Sequence, residues 1–483
     1  MRHATTLDGL EVLKLVVLAL GTALGAALGS ALSTAPVFAA DGLDDPGGYA
    51  SYPFDLNSAA TDLAYGCAAQ ADGKVLLAGS ATSTDEGLKI AVARLQLNGL
   101  ADTSFGGGTG EVVVTLAGQV PGHSGQARAI AVDAQSRILV GGTLHETAFF
   151  NRDIGFVTRL LANGAIDTGW DNGYFAGWFV DGGMSRVTAM GFDPAGRLWT
   201  TGPTSADGTG PWRFQVMGDF GNDAGYGSID IAPLVTDFLT TAPTAIAFQP
   251  DGNVLIGGWV QRGAPSFLAS MVVVRIQGAN LLPDPGFGFL GNGVVVIDDF
   301  ESIYLRSIAL TPDLEIVVAG ESGPLNAEDI VVIGLRPGGT VRWGDYLSFD
   351  LGGSNGDGIG GLSRMVVQSD GKIVVAAVSY TGDANNIVDV AVGRVLPMIA
   401  GWDTTFGGNG TGKRSFDMPP VGNGNGNDTL TCLTLAAGKA VLVGSGHYSG
   451  SDWDFSFRRL TNDLIFADSF ESATTFFWSR ATP

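Results

Sequence analysis

The strongest constraint on this chain is a short pattern that it repeats seven times. In its clearest copy, TAIAFQPDGNVLIGG from Thr244, an alternating apolar run meets a Pro-Asp-Gly turn, and a second apolar run then ends in two glycines. Such alternation on either side of a tight turn is the signature of a β-hairpin. Aligned on the turn, the copies centre on Asp72, Gln135, Ala195, Asp251, Asp313, Asp370 and Ala437, at intervals of 63, 60, 56, 62, 57 and 67 residues. A period of this kind means a repeat architecture in which each unit buries its faces against its neighbours.

Each hairpin leads into a third apolar run, such as KIAVARLQLNG from Lys89 or DIVVIGLRPGG from Asp329. An Asp-Thr-Ser-Phe-Gly link follows at Asp102–Gly106, and again as Asp-Thr-Thr-Phe-Gly at Asp403–Gly407, before a fourth run such as EVVVTL from Glu111. Four short strands per unit predict an all-β fold, a seven-bladed β-propeller of four-stranded antiparallel blades over residues 40–460. The last unit, from Cys432 to Leu460, has only three strands. Tyr49–Leu56, placed before the first hairpin, is therefore expected to supply the missing outer strand and close the ring. Arg recurs at one phase of the third strand, as Arg94, Arg159, Arg275, Arg394 and Arg458 or Arg459, which reads as a structural contact shared by blades.

The runs ARLQLNGLADTSFGGG from Ala93, AFQPDGNVLIGG from Ala247 and VQSDGKIVVAA from Val367 resemble the two halves of the bacterial delta-60 repeat, over about residues 42–460. The resemblance implies a secreted, propeller-like repeat protein and brings no catalytic residues with it. The tail LIFADSFESATTFFWS from Leu464, within residues 461–483, is similar to short C-terminal tails of secreted Gram-negative proteins. Ser469 replaces their usual Gly, so it reads equally as a sorting signal or as an aromatic plug.

Residues 15–32 are apolar behind Arg2 and Lys14, and Val37-Phe38-Ala39 offers small residues at the positions a signal peptidase reads. Residues 1–39 are expected to be a cleaved secretory signal, with an uncleaved anchor as the competitor, giving a secreted or periplasmic protein. A formal charge of -22, from 26 Lys and Arg against 48 Asp and Glu, argues against nucleic acid and anionic membrane as partners. The expected product is a monomer with no membrane span after cleavage. Cys67 and Cys432, the only cysteines, fall at the same repeat phase in blades 1 and 7. Equivalent side chains point the same way around a ring, so two buried thiols are expected in preference to a bridge.

Loops between strands two and three, and between blades, vary in length, whereas the hairpin turns are uniform. Variation gathered on one rim marks that rim as the binding surface. Five carboxylates there are candidate metal ligands. Asp298, Asp299 and Glu301 form the densest acidic cluster, while Asp357 and Asp428 sit in Gly/Asn-rich loops whose oxygens suit Ca²⁺. Solvated acidic loops and Asx turns are the plainer readings of both. His123, His145 and His447 have no metal spacing, and no nucleophile or phosphate-loop motif is present. The leading expectation is thus a non-catalytic scaffold that binds a glycan or a cell-surface protein. A hydrolase or lyase using the acidic cluster with a bound cation, and a structural or adhesive envelope protein, are the alternatives.

Overall fold

The computed structural model describes residues 44–461 except 55, 57–60, 84–86, 115–123, 147–151, 171–174, 177–183, 206–209, 220–222, 231–236, 265, 300, 324–328, 348–362, 381–387, 398–400, 417, 419–427 and 450–451. Residues 1–39, expected to be a secretory signal, His123, Asp357 and the tail beyond 461 lie outside the described residues. Seven antiparallel sheets follow one another along the chain. Blade 4 is typical, with strands Phe238–Phe248, Val254–Arg262, Ala269–Ile276 and Val294–Ile297 in that spatial order. The first strand of every blade lies beside the first strand of the next, all the way round, so these seven strands form the inner wall of a propeller.

Packing between blades explains the apolar sequence of the middle strands. Ala269–Ile276 is buried at every position because both faces of its sheet meet a neighbouring blade. Each of the seven joints holds its own apolar cluster, and each fully buried Val, Leu or Ile contributes about 1.5–3 kcal/mol relative to exposure. The 1–2 joint is built from Leu76, Ile90 and Phe105 against Val140 and Phe156. The 2–3 joint has the smallest cluster among the described residues: Ala129, Leu139, Val157, Trp170, Val187, Leu198 and Met217.

The recurring motif has a specific geometric role. Arg94 pairs with Asp102 at 2.7 Å, lies over the Phe105 ring at 4.6 Å, and donates from Nη1 to the Ala162 carbonyl of blade 2 at 2.5 Å. Arg275 repeats the arrangement with Asp284, Phe287 and the Pro337 carbonyl of blade 5. Arg159 pairs with Asp167 and Arg394 with Asp403 in the same manner. The Asp and Phe of the link thus hold the Arg that ties one blade to the next.

Ring closure follows the expected route with shifted bounds. The outer strand of blade 7 is Asp44–Tyr52, pairing Ala50 with Phe457 and Tyr52 with Phe455. It stops at Tyr52, short of Leu56, because Pro53 has no N–H to continue the ladder.

The cysteine expectation is corrected. Cys67 and Cys432 form a disulfide, with Cα atoms 5.7 Å apart. The reason lies in the turns. In blades 1–6 the closing pair, Gln70 and Lys74 in blade 1, brackets three residues. Blade 7 pairs Ala436 directly with Lys439 around the two residues Ala437 and Gly438, both at positive φ as a two-residue hairpin turn requires. Its first strand is therefore one residue out of phase: Cys432 opposes Val443 where blade 1 has Gly66 opposing Ala78. A one-residue shift reverses the facing of a strand side chain. The two sulfurs consequently meet across the 7–1 joint.

Candidate functional site

Five inner strands carry a β-bulge at one phase, leaving Tyr65, Arg128, Thr244, Arg306 and Thr431 unpaired between ladder partners. Bulges bend a strand and re-aim the side chain they carry. Up to the bulge, the inner strands of blades 2 and 5 alternate buried residues with half-exposed ones: Ser124, Gln126 and Arg128 in blade 2, and Ser302, Tyr304 and Arg306 in blade 5. The alternation sets one row of each strand toward the axis. Strand two opposes the bulge with Gly142 in blade 2, where a Cβ would overlap the Gln126 carbonyl oxygen, which accounts for the terminal glycine of the hairpin pattern.

Four arginines stand on or just ahead of the inner strands in a chain of net charge -22: Arg128, Arg306 and Arg364 on those of blades 2, 5 and 6, and Arg186 three residues before the inner strand Ala189–Phe192 of blade 3. Arg306 is neutralised. Glu321, on the second strand of blade 5, is buried and accepts from Arg306 Nε at 3.0 Å and from the Ser363 amide of blade 6 at 2.8 Å. Arg364 donates to the Thr431 and Ser363 carbonyls at 2.6 and 2.9 Å. Burial, with the nearby Arg306, pushes the Arg364 guanidinium down to about 10 although Glu321 opposes the shift.

The 2–3 joint is arranged differently. Arg128 bonds Gln126 Oε1 at 3.0 Å and lies over the Tyr65 ring at 5.4 Å, and its buried Nε has no hydrogen-bond partner. Burial and the Arg128 charge both push the Arg186 guanidinium downward, with Asp153 acting the other way. Neither Arg128 nor Arg186 is ion-paired among the described residues. Directly opposed residues share a sheet face, so the pairs Gln126–Thr143, Ser124–His145 and His145–Asp153 set one polar face on blade 2. The backbone of Arg186 crosses that face at Gly155, whose amide donates to the Met184 carbonyl at 3.1 Å. On the rim, His145 Nδ1 contacts Asp153 Oδ1 at 2.9 Å, with both side chains more than a third exposed. An imidazole oriented by a carboxylate, on the sheet face that also carries Gln126 and Thr143, can take a proton next to a bound anion.

The carboxylates singled out from the sequence are placed otherwise. Asp298 accepts from Arg262 and from the Ser270 hydroxyl, both at 2.6 Å, and Asp299 and Glu301 are exposed beside it. Asp428 is buried in blade 7 and receives the Met418 amide at 2.7 Å. Among the described residues no three His, Cys, Asp or Glu side chains gather as a set able to hold a metal ion. His145 was noted in the sequence only as lacking metal spacing, and Arg128, Arg186, Arg306, Arg364, Tyr65 and Glu321 were missed. Their trace in the sequence is the shared Ser-x-Gln/Tyr-x-Arg of Ser124–Arg128 and Ser302–Arg306, just ahead of the hairpin.

A family model described as a domain of unknown function (DUF5122) beta-propeller matches residues 70–105, in agreement with a propeller repeat protein. No curated protein matches the chain. Among solved structures, the chain is similar to an ulvan lyase of a new polysaccharide lyase family (TM-score 0.49, 10% identity, covering 88% of this chain and 98% of that one). It is also similar to a second polysaccharide lyase (TM-score 0.47, 10% identity, 82% and 89% covered). A third is the PQQ-bound aldose sugar dehydrogenase of Streptomyces coelicolor (TM-score 0.35, 14% identity, 86% and 99% covered). At such scores no residue role or substrate passes from them to this chain. The expectation of a non-catalytic scaffold is not kept: the structures found are described as lyases and a dehydrogenase, in line with the enzymatic alternative. The absence of a contiguous motif was a poor guide: this fold gathers its polar groups from different blades.

Proposed function

We propose that this chain is an exported propeller enzyme, of the delta-60 repeat type, that cleaves an acidic polysaccharide by elimination at the channel mouth over blades 2 and 3. The observation that carries the reading is the His145–Asp153 pair on the same face as Arg128 and Arg186. Export is supported by the apolar segment at 15–32 and by the Cys67–Cys432 bridge, since disulfides persist in oxidising compartments.

In the proposed step, a proton on Nδ1 directed at Asp153 leaves the Nε2 lone pair of His145 free as acceptor. It removes the proton on the carbon next to a uronate carboxylate. Arg128 and Arg186 hold that carboxylate and stabilise the charge that develops on it. The carbon–oxygen bond to the neighbouring sugar then breaks, a carbon–carbon double bond forms, and the departing oxygen takes a proton from solvent at the open rim. Elimination is favoured over hydrolysis because the two described carboxylates nearest these arginines are already engaged, Glu321 by Arg306 and Asp153 by His145.

The test is to incubate the mature protein with a panel of uronate-containing polysaccharides and follow the ultraviolet absorbance of unsaturated ends. Activity on at least one polymer, reduced about a hundredfold or more in His145→Ala with a native melting curve, is the expected result. Full activity in His145→Ala would refute the reading.

A further inference from the structure

Arg128 and Arg306 occupy the same bulge of blades 2 and 5, and Thr143 and Glu321 occupy the same place on the second strands, each opposite the residue two positions before the arginine. Blade 5 fills this place with a carboxylate, which Arg306 holds through two nitrogens at 3.0 and 2.9 Å and the Ser363 amide caps at 2.8 Å. Blade 2 carries Arg128 at the same bulge, with Arg186 of blade 3 near enough to act on it electrostatically, and has Thr143 where blade 5 has its acid. Thr143 is too short to reach them. Its hydroxyl is buried without a hydrogen-bond partner, as is Nε of Arg128. Glu321 therefore marks, within this molecule, the position an anion takes between two blades.

We infer that the 2–3 joint is a carboxylate-binding subsite in which the acid group of a uronate sits between Arg128 and Arg186, where Glu321 sits in the 5–6 joint. The inference rests on the elimination reading for its choice of a sugar acid. Among the described residues, the groups facing the position are Arg128 and Gln126 on the inner strand, Thr143 and His145 on the second, Asp153 on the third, Tyr65 from blade 1 and Arg186 from blade 3. Asp153, the one carboxylate on this face among the described residues, is exposed and bonded to His145. A guanidinium paired with a carboxylate in a partly dry joint gives short, strong hydrogen bonds.

The molecule also supplies its own control, because the acid can be moved from one joint to the other. Sodium glucuronate is titrated into the mature protein at constant ionic strength by calorimetry, with sodium sulfate in a parallel series. Wild type is expected to bind glucuronate saturably. Thr143→Glu, which installs the internal acid, should weaken binding about tenfold or more, equivalent to about 1.4 kcal/mol or more. Thr143→Gln, similar in bulk and uncharged, should stay within about threefold of wild type. Glu321→Thr should add a second glucuronate site. No saturable binding by wild type, sulfate binding tighter than glucuronate, or equal losses in the Glu and Gln variants would each overturn the subsite. The titration needs no turnover, so glucuronate binding without cleavage of any polymer sinks the enzymatic reading alone. Cleavage without glucuronate binding sinks the subsite alone.

Discussion

The third-strand arginines show how single residues unite blades. Arg94 meets a carboxylate, an aromatic face and a carbonyl of the next blade at once, so its charge is compensated where solvent is scarce. The recurrence of Arg and of the Asp-Thr-Ser-Phe link was plain in the sequence because both are local strings. That Asp and Phe close onto the Arg was not, since the contact needs the link to fold back on its own strand. Asp102 gives this arrangement a pH signature. Burial alone would raise its carboxyl, but bonds from the Ser104 hydroxyl and amide, with Arg94 and Lys74 nearby, hold it down at about 2 against an ordinary 3.8. A carboxyl lowered on folding stabilises the fold fully above its ordinary range, and that contribution is lost as pH falls from about 4 to about 2. The melting temperature should fall through this window. Asp102→Asn should melt lower at neutral pH and show a shallower acid slope, whereas an unchanged slope would rule Asp102 out as a source.

At the scale of elements, one missing turn residue redirects a strand. The alignment that matched Ala437 to Asp72 made the two cysteines equivalent and set them facing the same way. Pairing Ala436 with Lys439 shifts the seventh inner strand by one residue and sets Cys432 toward Cys67. The hint was Leu435, which an ungapped alignment puts where Gln70, Gln249 and Gln368 open the other turns. The bridge spans 365 residues of sequence, so it constrains the unfolded chain strongly. Cys67→Ser is predicted to lower stability by about 2–4 kcal/mol in urea unfolding. Wild type under a strong reductant should match it, and no difference between reduced and oxidised protein would contradict this role.

For the whole molecule, the sevenfold repeat made the ring, its blade count and its closing strand legible. Both ends of the chain carried partial blades that complete one another, as the pairing of Ala50 with Phe457 shows. The candidate site was harder to see. Its residues come from inner strands and rims of several blades, and the sequence separates Tyr65 from Arg364 by five repeats. Acidic loops attracted attention as runs of one charge, yet Asp298 is held by Arg262 and Ser270. The arginines were hidden by being one per blade, and they stand out only once the strands bearing them face a common axis in an otherwise acidic protein.

The most direct measurement is of the bond-breaking step itself. An acidic polysaccharide is cleaved by the mature protein in water enriched in heavy oxygen, and the fragments are weighed by mass spectrometry. Elimination at the channel mouth predicts one unsaturated end per broken bond and, in brief reactions reduced with borohydride before the anomeric oxygen exchanges with water, no heavy oxygen in either fragment. One heavy oxygen per cleaved bond, with saturated ends, would mean hydrolysis and would contradict the account.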